Sequence, residues 1–230
     1  MSTNVQSLLG SLPSSEILQN YIRFVSGSTK VEAEIKSYPD LVYFSYYTIG
    51  VSLQFKPTDG YRPKMGLKES DLEKNRLILD GIDFYNIPKV DSSDPKAKGT
   101  SARRAEIAFS SYPISPLTLN IASDIKDKDG KVLSRPPHFD VLPASTGKDF
   151  VECLGEPDRK GGGSGPSTGS IGIWCEWSQD GILVEFGGDE AKGPQAWERG
   201  KDAVWKVITV FRKPYVYTLP LRLRCIESIL

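Results

Sequence analysis

The apolar positions of this chain change period several times, and each change predicts an element. In "SSEILQNYIRFVSG", Ile17, Tyr21 and Phe24 recur at helical spacing, with Leu18, Ile22 and Val25 beside them. Ser14 or Ser15 is placed to cap this helix and Gly27 to end it. Helical spacing continues in "KVEAEIK", within Thr29 to Ser37. The period then drops to two. "LVYFSYY" and "VSLQF" read as strands on either side of Gly50. "GLKESDLEKNR" predicts a helical turn or two. "LILDGIDFYN" predicts either two short strands across an Asp80–Gly81 turn or one bent strand.

From residue 88 the chain becomes polar and proline-broken, and "PKVDSSDPKAK" reads as a loop. "SSYPISPLTLNIA" fits an edge strand, since two prolines exclude a central one. Patterning resumes at Thr146 and Asp149, a capping pair for the helix in "DFVECL", with Gly155 and Pro157 ending it. A glycine-rich stretch follows. Then "IGIWCEWSQDGILVEF" predicts a hairpin across Asp180–Gly181, and "AVWKVITVF" a last strand.

Setting Gly50 against Gly181 aligns the two hairpins without a gap. Tyr43 meets Trp174, Tyr46 meets Trp177, and Val51, Leu53 and Phe55 meet Ile182, Val184 and Phe186. The reading is therefore α+β, with two helix-plus-antiparallel-sheet units and a possible tandem repeat. The units span residues 1–87 and 141–213, joined by an extended crossing over 88–140 and followed by a tail over 214–230.

The order of helix, "LGEP", glycine-bearing loop and aromatic hairpin resembles the small α+β domains of the beta-lactamase inhibitor protein and the related outer-membrane lipoprotein assembly family. The likeness is best over Thr146 to Phe211 and faint over Ser14 to Tyr85. It implies a binding scaffold and not a catalyst. It carries over no functional residue, and this chain departs from it in lacking an export signal and a disulfide pair. The chain is also similar to fungal proteins of no assigned activity.

Composition narrows the function classes. Lys plus Arg and Asp plus Glu number 29 each, so no net charge draws the chain to nucleic acid or an anionic membrane. No run approaches about 18 apolar residues, the length that crosses a bilayer. The start, "MSTNVQSLLGSLPSSE", lacks the form of a secretory signal, and the three cysteines are widely spaced. A reduced, cytoplasmic or nuclear setting is the expectation. With His138 the only histidine and no CxxC spacing, no metal or other cofactor is expected.

The stretch "LGEPDRKGGGSGPSTGS" raises the question of a phosphate cradle. A P-loop or dinucleotide loop opens into a helix, but "IGIWCEW" downstream reads as a strand. The stretch is read as a linker, with Arg159 and Lys160 able to grip an anionic group on a partner. Catalytic alternatives are a hydrolase using the carboxylates Glu176 and Glu185, or His138 with Asp140 and a nucleophile such as Cys153; no nucleophile elbow accompanies them. Trp177 and Trp205 fall in phase with the core. Trp174 and Trp197 stand in polar contexts. The leading expectation is thus a non-catalytic module that binds a protein partner through Tyr43, Tyr47, Arg159, Lys160, Trp174, Glu176, Glu185 and Trp197.

Overall fold

The period-two runs pair into one antiparallel sheet. In a computed structural model, which describes residues 4–87, 108–123, 125, 130–163 and 172–213, the strands are β1 (Glu34–Ser37), β2 (Val42–Tyr46), β3 (Val51–Pro57), β4 (Leu77–Tyr85), β5 (Leu117–Asn120), β6 (His138–Val141), β7 (Arg159–Gly161), β8 (Trp174–Trp177), β9 (Ile182–Phe186) and β10 (Trp205–Phe211). Helices are α1 (Glu16–Val25), α2 (Gly147–Leu154) and the short α3 (Ala196–Arg199). Eight strands form the main sheet in the order β1-β2-β3-β4-β10-β9-β8-β7, while β5 and β6 pair separately. The architecture is mixed α+β, mostly antiparallel sheet with few helices. The seam is β4 against β10, where Asp83 faces Thr209 and Tyr85 faces Val207.

Alternation decides which face meets the helices. Val51, Leu53 and Phe55 of β3 and Ile182, Val184 and Phe186 of β9 are buried on one face. They share a core with Leu18, Tyr21, Ile22 and Val25 of α1 and with Phe150 and Leu154 of α2. In α1 the buried stripe excludes Ile17 and Phe24, each 51% exposed, which the spacing alone had grouped with Tyr21. Thr146 and Asp149 close the expected capping box on α2. The crossing between the halves is more than a connection: Leu117 and Leu119 of β5 and Phe139 and Val141 of β6 belong to the same core.

Two β-bulges keep the long strands in phase. Leu79 pairs with Phe55 and Gly81 with Gln54, leaving Asp80 as the extra residue. Leu77 and Leu79 therefore face the core before the bulge, and Ile82 and Phe84 after it. β10 repeats the device, with Trp205 on Phe186, Val207 on Glu185, and Lys206 between.

Two local expectations are corrected, and one open alternative is resolved. "KVEAEIK" is not helical: Glu34–Ser37 forms an edge strand on β2, whose backbone hydrogen bonds outweigh a weak helical spacing. Of the two readings of "LILDGIDFYN", the single bent strand holds, with a bulge at Asp80 in place of a turn. The start of the glycine stretch is not a linker, because Arg159–Gly161 forms β7 against β8. The loop read over 88–98, the tail over 214–230 and Cys225 lie outside the described residues.

Candidate functional site

The second face of the sheet carries the candidate site. Its central row runs in register through all eight strands: Glu34, Ser45, Ser52, Asp83, Thr209, Leu183, Glu176 and Arg159. Small polar residues hold the middle. The Ser45 and Ser52 hydroxyls are 3.2 Å apart and buried. Asp83, 7% exposed, accepts a hydrogen bond at each carboxylate oxygen from Gln54 Nε2, both 2.8 Å. Thr209 Oγ1 donates a third at 2.8 Å from across the seam. Gly81 makes this possible. It faces Gln54, and a Cβ there would stand only 3.3 Å from the Gln54 amide. Burial pushes the Asp83 carboxyl up to about 6; the bonds from Gln54 and Thr209 pull it back, and Glu185 adds repulsion.

Aromatic side chains stand around this centre. Tyr85 stacks on Phe109, the rings 3.7 Å apart and 5° from parallel. Tyr47 meets the same Phe109 at 4.5 Å. Phe109, stacked on Tyr85, and Val207, the strand partner of Tyr85, are buried yet lie outside the main core. The chain around Phe109 is fixed by backbone bonds, Ser110 N to Tyr47 O and Tyr112 N to Tyr85 O. Tyr43 packs edge-on against Tyr38, and burial followed by the charge on Asp83 raises its phenol. Trp174 lies over Gly161, where a Cβ would come within 2.6 Å of the indole.

The structure divides the residues singled out from the sequence. Tyr43, Trp174, Glu176, Glu185 and Arg159 share this second face, with Tyr47 at its edge; the three aromatics and Glu176 are half-buried there. Lys160 pairs with buried Cys175 and so faces the helix side, where its Nζ lies 5.5 Å from the centre of the Trp197 ring. Trp197, 44% exposed, belongs to that side too.

The catalytic alternatives sit as follows. Glu176 is paired with Arg159 at 3.2 Å and accepts a bond from Ser178 Oγ at 2.6 Å. Glu185 is paired with Lys206 at 3.5 Å. Their register makes them diagonal neighbours, roughly 7–8 Å apart at the backbone. His138 and Asp140 share one side of β6, 3.9 Å apart, both half exposed, and Asp140 accepts a bond from Thr118. Cys153 is half-buried on α2, and burial raises its thiol above the ordinary value.

The glycine stretch serves close packing. A Cβ on Gly162 would meet the Gly172 carbonyl, and one on Gly163 would approach Ile173 and Ala196. The described chain enters it from β7 and leaves it into β8, both strands, which is the wrong order for a phosphate loop. Gly165 and Thr168 lie outside the described residues.

Sequence reasoning missed Asp83, Gln54, Thr209, Tyr85 and Phe109. The available signal was an acid inside the apolar strand "LILDGIDFY", but its face depends on the bulge at Asp80. Among the described residues, no group of three or more His, Cys, Asp or Glu side chains could hold a metal ion. No described helix is long and apolar enough to cross a membrane. Comparison with protein-family profiles, curated proteins and solved structures finds no match for this chain.

Proposed function

We propose that the chain is a non-catalytic, intracellular module that binds a protein partner through the face of its sheet opposite the helices. The observation that carries this reading is the aromatic set of Tyr43, Tyr47, Tyr85, Phe109 and Trp174, held on the face opposite the helices and outside the main core. Tyr and Trp dominate the energetics of protein interfaces, and side chains already ordered by strands lose little entropy on binding. The balanced charge favours no nucleic-acid or membrane partner. Cys153 and Cys175, both free, suit a reducing cytoplasm or nucleus. The hydrolase alternative has less support, because each glutamate of its pair already meets a basic side chain and His138 and Asp140 lie open to water.

We further infer that the two halves are related units. Three features support this. The strand order reads the same from both ends toward the seam. The bulges fall opposite the aligned pairs Gln54/Phe55 and Glu185/Phe186. Gly50 and Gly181 both have positive φ, at 61° and 69°, and each is pressed against a backbone carbonyl, of Ser110 and Phe211.

The test is affinity purification from lysate with three baits: the native chain, a Tyr43→Ala/Trp174→Ala variant, and Trp197→Ala as a control on the other side. The expected result is a near-stoichiometric partner retained by Trp197→Ala and reduced at least tenfold by the double variant, with circular dichroism unchanged. A partner held equally by all three baits, or none with any, overturns the reading.

A further inference from the structure

The helix side of the sheet holds a separate feature, a cavity of about 290 Å³ between α2 and α3. Ligand sites run upward from roughly 300 Å³, so this volume suits a small molecule and not a chain segment. Its floor is apolar: Ile173, Cys175 and Phe186 are all buried. Val151 of α2 forms one lip and Trp197 of α3 the other, and these two are 37% and 44% exposed. Burial pushes the Cys175 thiol up to about 11, so it contributes a neutral, soft surface and no nucleophile.

Backbone contact keeps the two lips in place. Gly147, at the start of α2, lies so close to Gly200 that any Cβ would strike the Gly200 carbonyl. The Gly147 N–H also donates to Ala203 O at 2.9 Å. α2 and the segment after α3 are thus joined at one end of the cavity. The opening is built into the fold before any ligand arrives.

The charges at the rim are unequal. Lys148 is already paired with Glu152, at 3.6 Å. Lys160 and Lys201 have no acidic partner among the described residues, and Glu156 is the remaining acid. Lys160 is steadied over the Trp197 ring by a cation–π contact at 5.5 Å. An apolar floor, an aromatic wall and an excess of positive charge at the mouth define one ligand chemistry.

The geometry points to this cavity as a binding site for a small aromatic carboxylate. The ring enters between Val151 and Trp197, and the carboxylate stays at the rim within reach of Lys160 and Lys201. This site is independent of the face opposite the helices, and neither reading depends on the other.

The test is calorimetric titration of the full chain with 2-naphthoate, beside its neutral counterpart 2-naphthylmethanol. Native protein is expected to bind one equivalent of 2-naphthoate saturably and to bind the alcohol at least about threefold more weakly. Val151→Trp, a change at an exposed lip, fills the opening and is expected to weaken binding at least about tenfold. Lys160→Met is expected to weaken naphthoate several-fold and leave the alcohol unchanged. If Val151→Trp fails to fold by circular dichroism, Trp197→Ala, which trims an exposed side chain, takes its place with the same expectation. Absence of saturable binding, undiminished binding to the lip variant, or equal affinity for acid and alcohol overturns the assignment.

Discussion

Two buried aspartates, of one chemistry and almost equal burial, stand in opposite electrostatic settings. Asp180, 3% exposed in the turn between β8 and β9, receives Arg135 Nη1 at 2.8 Å and Nη2 at 3.1 Å. It also accepts the Ala122 N–H at 2.9 Å. Arg135 in turn donates to the carbonyls of Leu154 and Ala122. Charge meets charge, and one ion pair ties the crossing, the end of α2 and the hairpin together. Asp83, 7% exposed at the seam, has three hydrogen bonds, all from the uncharged Gln54 and Thr209. Its carboxyl rises to about 6 because neutral donors do not repay the lost hydration of a full charge. The lesson is that burial does not decide what a carboxylate does for a fold; the charge of its partner does.

The largest expected effect breaks the compensated side of this comparison. Arg135→Met leaves Asp180 buried without its cation and is expected to lower unfolding free energy by about 3–5 kcal/mol, read by urea denaturation. Asp180→Asn on top of it should restore part of that loss, because the stranded charge is gone.

The next effect has the opposite sign. Asp83 has a raised folded value, so the native state holds its proton more tightly than the unfolded chain between about pH 4 and pH 6. Its contribution is fully present below that window and is lost as pH rises through it. Asp83→Asn is therefore expected to match the native chain near pH 3.5 and to exceed it at pH 7.5 by roughly 2–3 kcal/mol, or about 4–12 °C in Tm. A constant difference across pH, followed by differential scanning calorimetry, would remove the distinction between the two aspartates.

The smallest effect sharpens it. Thr209→Val deletes one donor to Asp83 and is expected to cost about 1 kcal/mol at pH 7.5. Because that bond favours the ionised form, the loss should shrink near pH 4.5, as parallel denaturation curves at the two pH values will report.

The parts of this structure that were legible in the sequence are those set by local chemistry. The hairpins around Gly50 and Gly181, the capped helix after Thr146 and the placing of Trp177 and Trp205 in the core all follow from period and turn residues. Edge strand β1 was obscured because Val31 and Ile35 have a helical spacing, and only pairing with β2 overrides it. The faces of Tyr43, Trp174, Glu176 and Glu185 were legible because each lies in an unbroken alternation. Asp83 was not, since its side of the sheet is set by the bulge at Asp80, and a bulge is a property of two strands and not of one. Nor was the parting of Trp197 from Trp174, which depends on α3 bringing Trp197 beside Lys160 on the helix side.

The seam has a consequence for how the protein is made. Val207 follows its partner Tyr85 by about 120 residues, so the strands that join the halves are among the last to find each other. Until β10 has been made, β4 lacks its partner on that side and is an open edge. At roughly 5–20 residues per second, the ribosome needs on the order of ten seconds to deliver β10. During that interval an unpaired strand bearing Ile82 and Phe84 is the point where a nascent chain is most exposed to wrong partners, chaperones included.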